Sequence, residues 1–153
     1  MPALVARAIR TMATGIRPQS EDAMQIYRSL QQLKEADLPG TAMCIGVFDG
    51  VHRGHQMLLE KTCRRARGTR LPALAFTFSA HPLSVLAPPY APPLLSTPEE
   101  KAALLRGYGM DLCLMLDFTV EFAATPPREF LGQVVAGVCR ARHVICGKDF
   151  RFG

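Results

Sequence analysis

The sequence lacks most of the features that would take a chain out of the globular class. No apolar run approaches the ~20 residues that span a bilayer, and the longest, such as Leu71–Phe78, are strand-sized. That excludes a membrane partner of the spanning kind. No cysteines form a C-x-x-C pair, and the five present (Cys44, Cys63, Cys113, Cys139, Cys146) are odd in number and mostly set inside apolar runs. They read as reduced core thiols of a cytoplasmic protein, not as a disulfide frame or a zinc site. Charge of one sign is not concentrated either. The net charge is +5, of which Arg7, Arg10 and Arg17 against Glu21 and Asp22 supply +1. The densest basic stretch, Arg64, Arg65, Arg67 and Arg70, reads as a solvated face, so no nucleic acid is expected as a partner. A mild positive balance suits a small anionic ligand. Both common phosphate loops, G-x-G-x-x-G and G-x-x-x-x-G-K-[ST], are missing.

What remains, with 48% hydrophobic and 20% charged residues over 153 positions, is one domain with a modest core. Residues 1–23 are expected to be an extension without fixed structure or a targeting segment, and residues 24–153 the folded domain. From Met24 the pattern alternates. Met24–Leu30 suggests a strand, Gln31–Asp37 a short helix, Thr41–Val47 a strand and His55–Ala66 a helix. Leu71–Phe78 suggests a buried strand. Ser79–Leu95 has five prolines in seventeen residues and reads as a loop that is neither strand nor helix. Thr97-Pro98-Glu99-Glu100 starts a helix that runs to about Gly107, with an N-cap hydroxyl, a proline at the first position and acids in the first turn. Asp111–Leu116 suggests a strand, Thr125-Pro126 the start of a helix to Val138, and His143–Cys146 a last strand. Strands separated by helices imply parallel pairing with right-handed crossovers, hence a doubly wound α/β sheet with the 41–47 strand central. Ligands of such sheets bind at the carboxyl ends of strands, near a reversal of strand order.

The first strand–turn–helix therefore draws the closest reading: Ile45-Gly46-Val47-Phe48-Asp49-Gly50-Val51-His52-Arg53-Gly54-His55. Residues three apart share a helix face, so His52 and His55 point together. A helix N-terminus presents N–H groups and a positive dipole end to an anion. Gly54 removes a side chain so that phosphate can approach the backbone, and Gly46 and Gly50 permit tight geometry. The string suits a triphosphate cradle with imidazole donors in place of a lysine. No third ligand stands at a convincing spacing for a metal.

This string resembles the signature of the bacterial FAD synthetase family, the FMN adenylyltransferase module of bifunctional riboflavin kinase/FAD synthetases. Thr77-Phe78-Ser79-Ala80-His81-Pro82 resembles the family's second segment, on the flavin side. Leu94–Lys101 resembles a helix start, Phe118, Glu121, Phe122 and Glu129-Phe130-Leu131 match the next stretch, and Gly147-Lys148-Asp149-Phe150-Arg151-Phe152-Gly153 resembles a glycine–Asp-Phe–Phe-Gly loop. The resemblance covers residues 24–153. It implies a Rossmann-like nucleotidyltransferase fold and transfer of AMP from ATP to FMN, with magnesium carried by the ATP and no metal ligand from the protein. It also implies His52 and His55 as catalytic residues. Gly46, Phe48, Asp49, Gly50, Gly54 and Asp149 would lie at ATP, and Phe78, His81, Pro82 and Phe150 at FMN. Asp49 would orient the turn or help the metal. Val47 stands where the family often has asparagine and Ala80 where it often has proline. The family continues into an arginine-bearing segment and a riboflavin kinase domain, so the expectation for this chain by itself is slow or absent turnover. The alternatives are another histidine-motif nucleotidylyltransferase or an inactive remnant.

Overall fold

The computed structural model describes residues 23–151. The extension expected at 1–23 lies outside the described residues except for Ala23, as do Phe152 and Gly153. Five strands form one parallel sheet: β1 Gln25–Tyr27, β2 Thr41–Ile45, β3 Ala73–Phe78, β4 Leu112–Leu116 and β5 Ala141–Ile145. Their spatial order is β1-β4-β3-β2-β5. The middle strand is therefore β3, not the 41–47 strand, although β2 has neighbours on both sides. The chain steps from β2 through β3 to β4 in one direction and then returns to place β5 on the other side of β2. Strand order reverses at β2, so the carboxyl end of β2 is the expected ligand crevice.

Helix α1 is Leu30–Glu35, α2 Arg53–Thr69, α3 Leu83–Leu86, α4 Pro98–Gly107 and α5 Val120–Ala123; α6 comprises Pro127–Glu129 and the wider-turned Phe130–Val138. Both sheet faces are covered, which explains why β2, β3 and β4 read as unbroken apolar runs. Period-two alternation sorts their side chains. Ala42, Cys44, Ala73, Ala75 and Cys113 pack with Leu59, Cys63 and Ala66 of α2 and Ala102 and Leu105 of α4. Met43, Ile45, Leu74, Phe76, Leu112 and Leu114 pack with Leu33 of α1 and Phe130, Val134 and Val135 of α6. Apart from Met115, small strand residues thus face α2 and α4, and large ones face α1 and α6.

The predicted α4 start holds in full: the Thr97 hydroxyl accepts from Glu100 N–H, Glu100 accepts from Thr97 N–H, and Pro98 occupies the first helical position. Elsewhere the boundaries move. α2 begins at Arg53 with His52 as its cap, two residues before the predicted start. The first strand is shortened because the Ser29 side chain caps α1. The proline-rich stretch is not wholly irregular. It holds α3 and a 3₁₀ turn, Pro88–Tyr90. Proline lacks only a donor that a first helical turn leaves unpaired, so it is compatible with these starts. Thr119 caps the short α5, which the sequence reading missed, and the last helix starts at Pro127 rather than after a Thr125 cap. Four cysteines are buried, Cys146 is exposed and all five are free. No helix among the described residues is long and apolar enough to cross a membrane.

Candidate nucleotide site at the end of β2

After Ile45 the chain folds into a turn held on several sides. Phe48 and Val51 have positive φ (52° and 43°), as does Gly50 (67°). For a β-branched residue such as Val51 that is a strained conformation. Both non-glycine side chains are buried in the α2–α4 face, which offsets the strain. A Cβ at Gly50 would come within 3.0 Å of the Leu95 side chain, so side chains are disfavoured there on two counts.

Asp49 anchors the turn to the segment ahead of α4. Its carboxylate accepts from Leu95 N–H (2.9 Å to Oδ2), from Ser96 N–H (2.9 Å) and from the Ser96 hydroxyl (2.9 Å). The Ser96 hydroxyl oxygen also accepts from Gly50 N–H at 3.3 Å. Burial by itself would raise the Asp49 pKa. The bonds from Leu95 and Ser96, with the charge of Lys101, outweigh it and hold the carboxyl below its usual value. These bonds tie the turn to the segment ahead of α4.

His52 and His55 come together at the start of α2, with stacked rings whose centroids are 3.7 Å apart. Phe48 packs edge-on against His55 at 5.0 Å. His52 Nδ1 accepts from Gly54 N–H (3.1 Å) and His55 N–H (3.4 Å), which places its ring proton on Nε2. Two expectations change here. The first N–H groups of α2 are not all open to an anion, because His52 caps two of them. A Cβ at Gly54 would meet the His52 ring at 3.1 Å, so the space above this glycine holds the protein's own imidazole. The His55 Nδ1 atom is buried without a hydrogen-bond partner. Burial first, then the charges of His52 and Lys101, opposed by Asp49, push the His55 pKa down to about 4. His55 is thus presented as a neutral ring at neutral pH.

Phe78, the last residue of β3, is buried. Its ring lies 5.1 Å from Phe118 and 5.7 Å from Phe122, inside the α6-side core. His81 Nδ1 accepts from Leu83 N–H at 3.1 Å just ahead of α3, whose cap position is Pro82. Ser79, next to Phe78, donates its hydroxyl to Asp117, joining the carboxyl ends of β3 and β4. Asp149 and Phe150 sit in an exposed segment after β5, held by a turn bond from Phe150 N–H to the Gly147 carbonyl (3.1 Å). The structure brings Gly46, Phe48, Asp49, Gly50, His52, Gly54 and His55 into one turn. It places Phe78, His81 and Pro82 at the end of the adjacent strand, and Asp149 and Phe150 beyond β5.

One residue was not singled out from the sequence. Lys101 is fully buried, and its Nζ donates to the Phe78 carbonyl at 2.7 Å. A signal existed: Lys101, Ala102 and Leu105 share one helical face. A hollow of about 460 Å³ lined by Lys61, Arg64, Arg65, Gly68, Thr69 and Ile145 lies elsewhere, along the later turns of α2. Among the described residues no cluster of three His, Cys, Asp or Glu side chains could hold a metal ion.

Comparison with known proteins bears on this geometry. The family model for FAD synthetase matches residues 34–153. The chain is 35% identical over 130 residues to the bifunctional riboflavin kinase/FMN adenylyltransferase of Escherichia coli (strain K12), covering 85% of this chain and 42% of that one. It is 32% identical over 114 residues to the enzyme of that name from Bacillus subtilis (strain 168), covering 74% of this chain and 36% of that one. A solved structure described as a macrolide-efflux protein from Streptococcus pneumoniae superposes with a TM-score of 0.72 at 25% identity, over 86% of this chain and 44% of that chain. The chain thus spans less than half the length of the relatives it matches.

Proposed function

Because this chain belongs to the FAD synthetase family, we propose that its 46–55 turn binds the phosphates of magnesium ATP and supports transfer of AMP to FMN. An FMN phosphate oxygen attacks the α-phosphorus, the bond to the bridging oxygen of the β-phosphate breaks, and pyrophosphate leaves. The observation that carries the reading is the stacked His52–His55 pair at the mouth of α2, at the strand-order reversal. Phosphoryl-group transfer depends on positioning and on neutralising spread charge, not on covalent help from the protein. His52 Nε2–H is the donor for a phosphate oxygen, and His55, packed between His52 and Phe48, fixes the orientation of the pair and adds a second imidazole. Magnesium enters as part of the ATP. The Asp49 oxygens are engaged by Leu95 and Ser96, which fits an ion carried on phosphates. His81, Pro82 and the carboxyl end of β3 at Phe78 border the flavin, with Phe150 and Asp149 closing from the β5 side. The partners are small molecules.

The test is FAD formation from FMN and magnesium ATP, followed by chromatography, with ATP affinity measured by calorimetry. Replacing both His52 and His55 by alanine is expected to lower kcat/KM by at least ~10²-fold, the effect of one lost preorganised donor. A double variant that keeps both ATP affinity and rate would overturn the assignment.

A further inference from the structure

The separation of β2 from β3 leaves a notch. The last β2–β3 pair is Ile45 with Phe76, whereas β3 and β4 continue together to Phe78 and Leu116. Two side-chain bonds lie at this end of β3. The Thr77 hydroxyl donates to the Val47 carbonyl at 2.9 Å, and Lys101 Nζ donates to the Phe78 carbonyl at 2.7 Å. Lys101 is the one charged side chain among the buried described residues. Burying an ammonium is costly unless charge and hydrogen bonds compensate, and packing alone would be served by an apolar residue beside Ala102 and Leu105. The Lys101 amine sits at the end of β3, and its charge bears on Asp49 and on His55.

We propose that Lys101 is a positioning residue for the adenylyl transfer, holding α4 to the end of β3 and setting the field in which the two imidazoles meet the triphosphate. The inference rests on the function proposed above, but part of its test does not need that function. The groups bearing on His55 are His52 from its own turn, Asp49 from the start of the turn and Lys101 from α4. Those bearing on Lys101 are Asp49 and the Cys113 thiol of β4. Burial pulls the Lys101 pKa down and Asp49 pulls it back up. Lys101 does not reach the reacting atoms. It acts through the Phe78 carbonyl, Asp49 and His55. A buried charge is screened far less by salt than a surface lysine would be.

The experiment compares Lys101→Met with Lys101→Arg in the full chain. In the ligand-free protein, histidine titration by NMR should show His55 protonating at higher pH in Lys101→Met and near the wild-type value in Lys101→Arg. Calorimetry with magnesium ATP should show an affinity loss on the order of tenfold in Lys101→Met, as expected for one unit charge acting over roughly 10 Å through protein. That loss should persist at high salt. A purely structural lysine would move the melting temperature and leave His55 titration unchanged. If Lys101→Met does not fold, a second arm applies. The Lys101 side-chain carbon resonance should titrate at lower pH in Asp49→Asn, because the Asp49 charge is what raises the Lys101 pKa against burial. Unchanged His55 titration in Lys101→Met, or unchanged Lys101 titration in Asp49→Asn, overturns the proposal. If His55 shifts as expected while the wild-type chain binds no ATP, the function reading fails and the Lys101 coupling stands.

Discussion

The two segments assigned to the nucleotide, residues 46–55 and residues 147–151, are built in opposite ways. The first is held by its own packing and hydrogen bonds. Asp49 is held by Leu95 and Ser96, Phe48 and Val51 are buried, and His52 caps the helix that follows. The second is exposed along its whole described length and shaped by a local turn bond. The difference teaches that one part of the proposed site belongs to the folding core, whereas the other stands outside it. Substitutions in the turn should therefore change stability and binding together, and substitutions after β5 should change binding alone.

The largest effect is expected at Asp49. Replacing it by alanine strands the Leu95 and Ser96 N–H groups and should cost about 3 kcal/mol, since bonds to a charged acceptor are worth roughly 1.5–3 kcal/mol each and are not additive. With about 2–4 °C per kcal/mol for a domain of this size, thermal melting should fall by roughly 6–12 °C. A melting temperature within a degree of wild type would erase the contrast between the two segments.

Next in size is the response to acid. The His55 pKa is lowered to about 4 from 6.5 by burial and by the neighbouring charges of His52 and Lys101. Between those values the unfolded chain takes up the proton and the folded chain does not, so stability falls as pH drops from 6.5 toward 4. Asp49, whose pKa is also lowered, adds a loss at still lower pH, as its folded-state carboxylate is protonated. Urea unfolding across this range should show the decline, and His55→Asn should flatten its upper part. A wild-type profile that is flat from pH 6.5 to 4.5 would contradict the half-buried neutral imidazole.

The smallest effect is expected after β5. Asp149→Ala and Phe150→Ala should each change stability by less than about 0.5 kcal/mol, as for surface positions away from packed features. Their effect should appear only in ATP or FMN affinity. A large loss of stability at Phe150 would mean that the segment is as built as the turn, and the comparison would fail.

The sequence by itself determined the elements that local chemistry controls. The Thr97-Pro98 start of α4, the strand–turn–helix carrying His52 and His55, and the parallel α/β class are all written in spacings of a few residues. Even the two-sided core is legible in β3, where Ala-Leu-Ala-Phe alternates small and large. Tertiary structure alone decided three things. Strand order put β3 in the middle, because pairing joins segments far apart in the chain and periodicity does not rank neighbours. Asp49 found its partners at Leu95 and Ser96, 46 and 47 residues away. Lys101, a surface residue by composition, became a buried cation because α4 lays that face against the end of β3. The physical reason is common to all three. Propensity and capping act within one or two turns of chain, whereas burial and long-range hydrogen bonds exist only once the layers have packed.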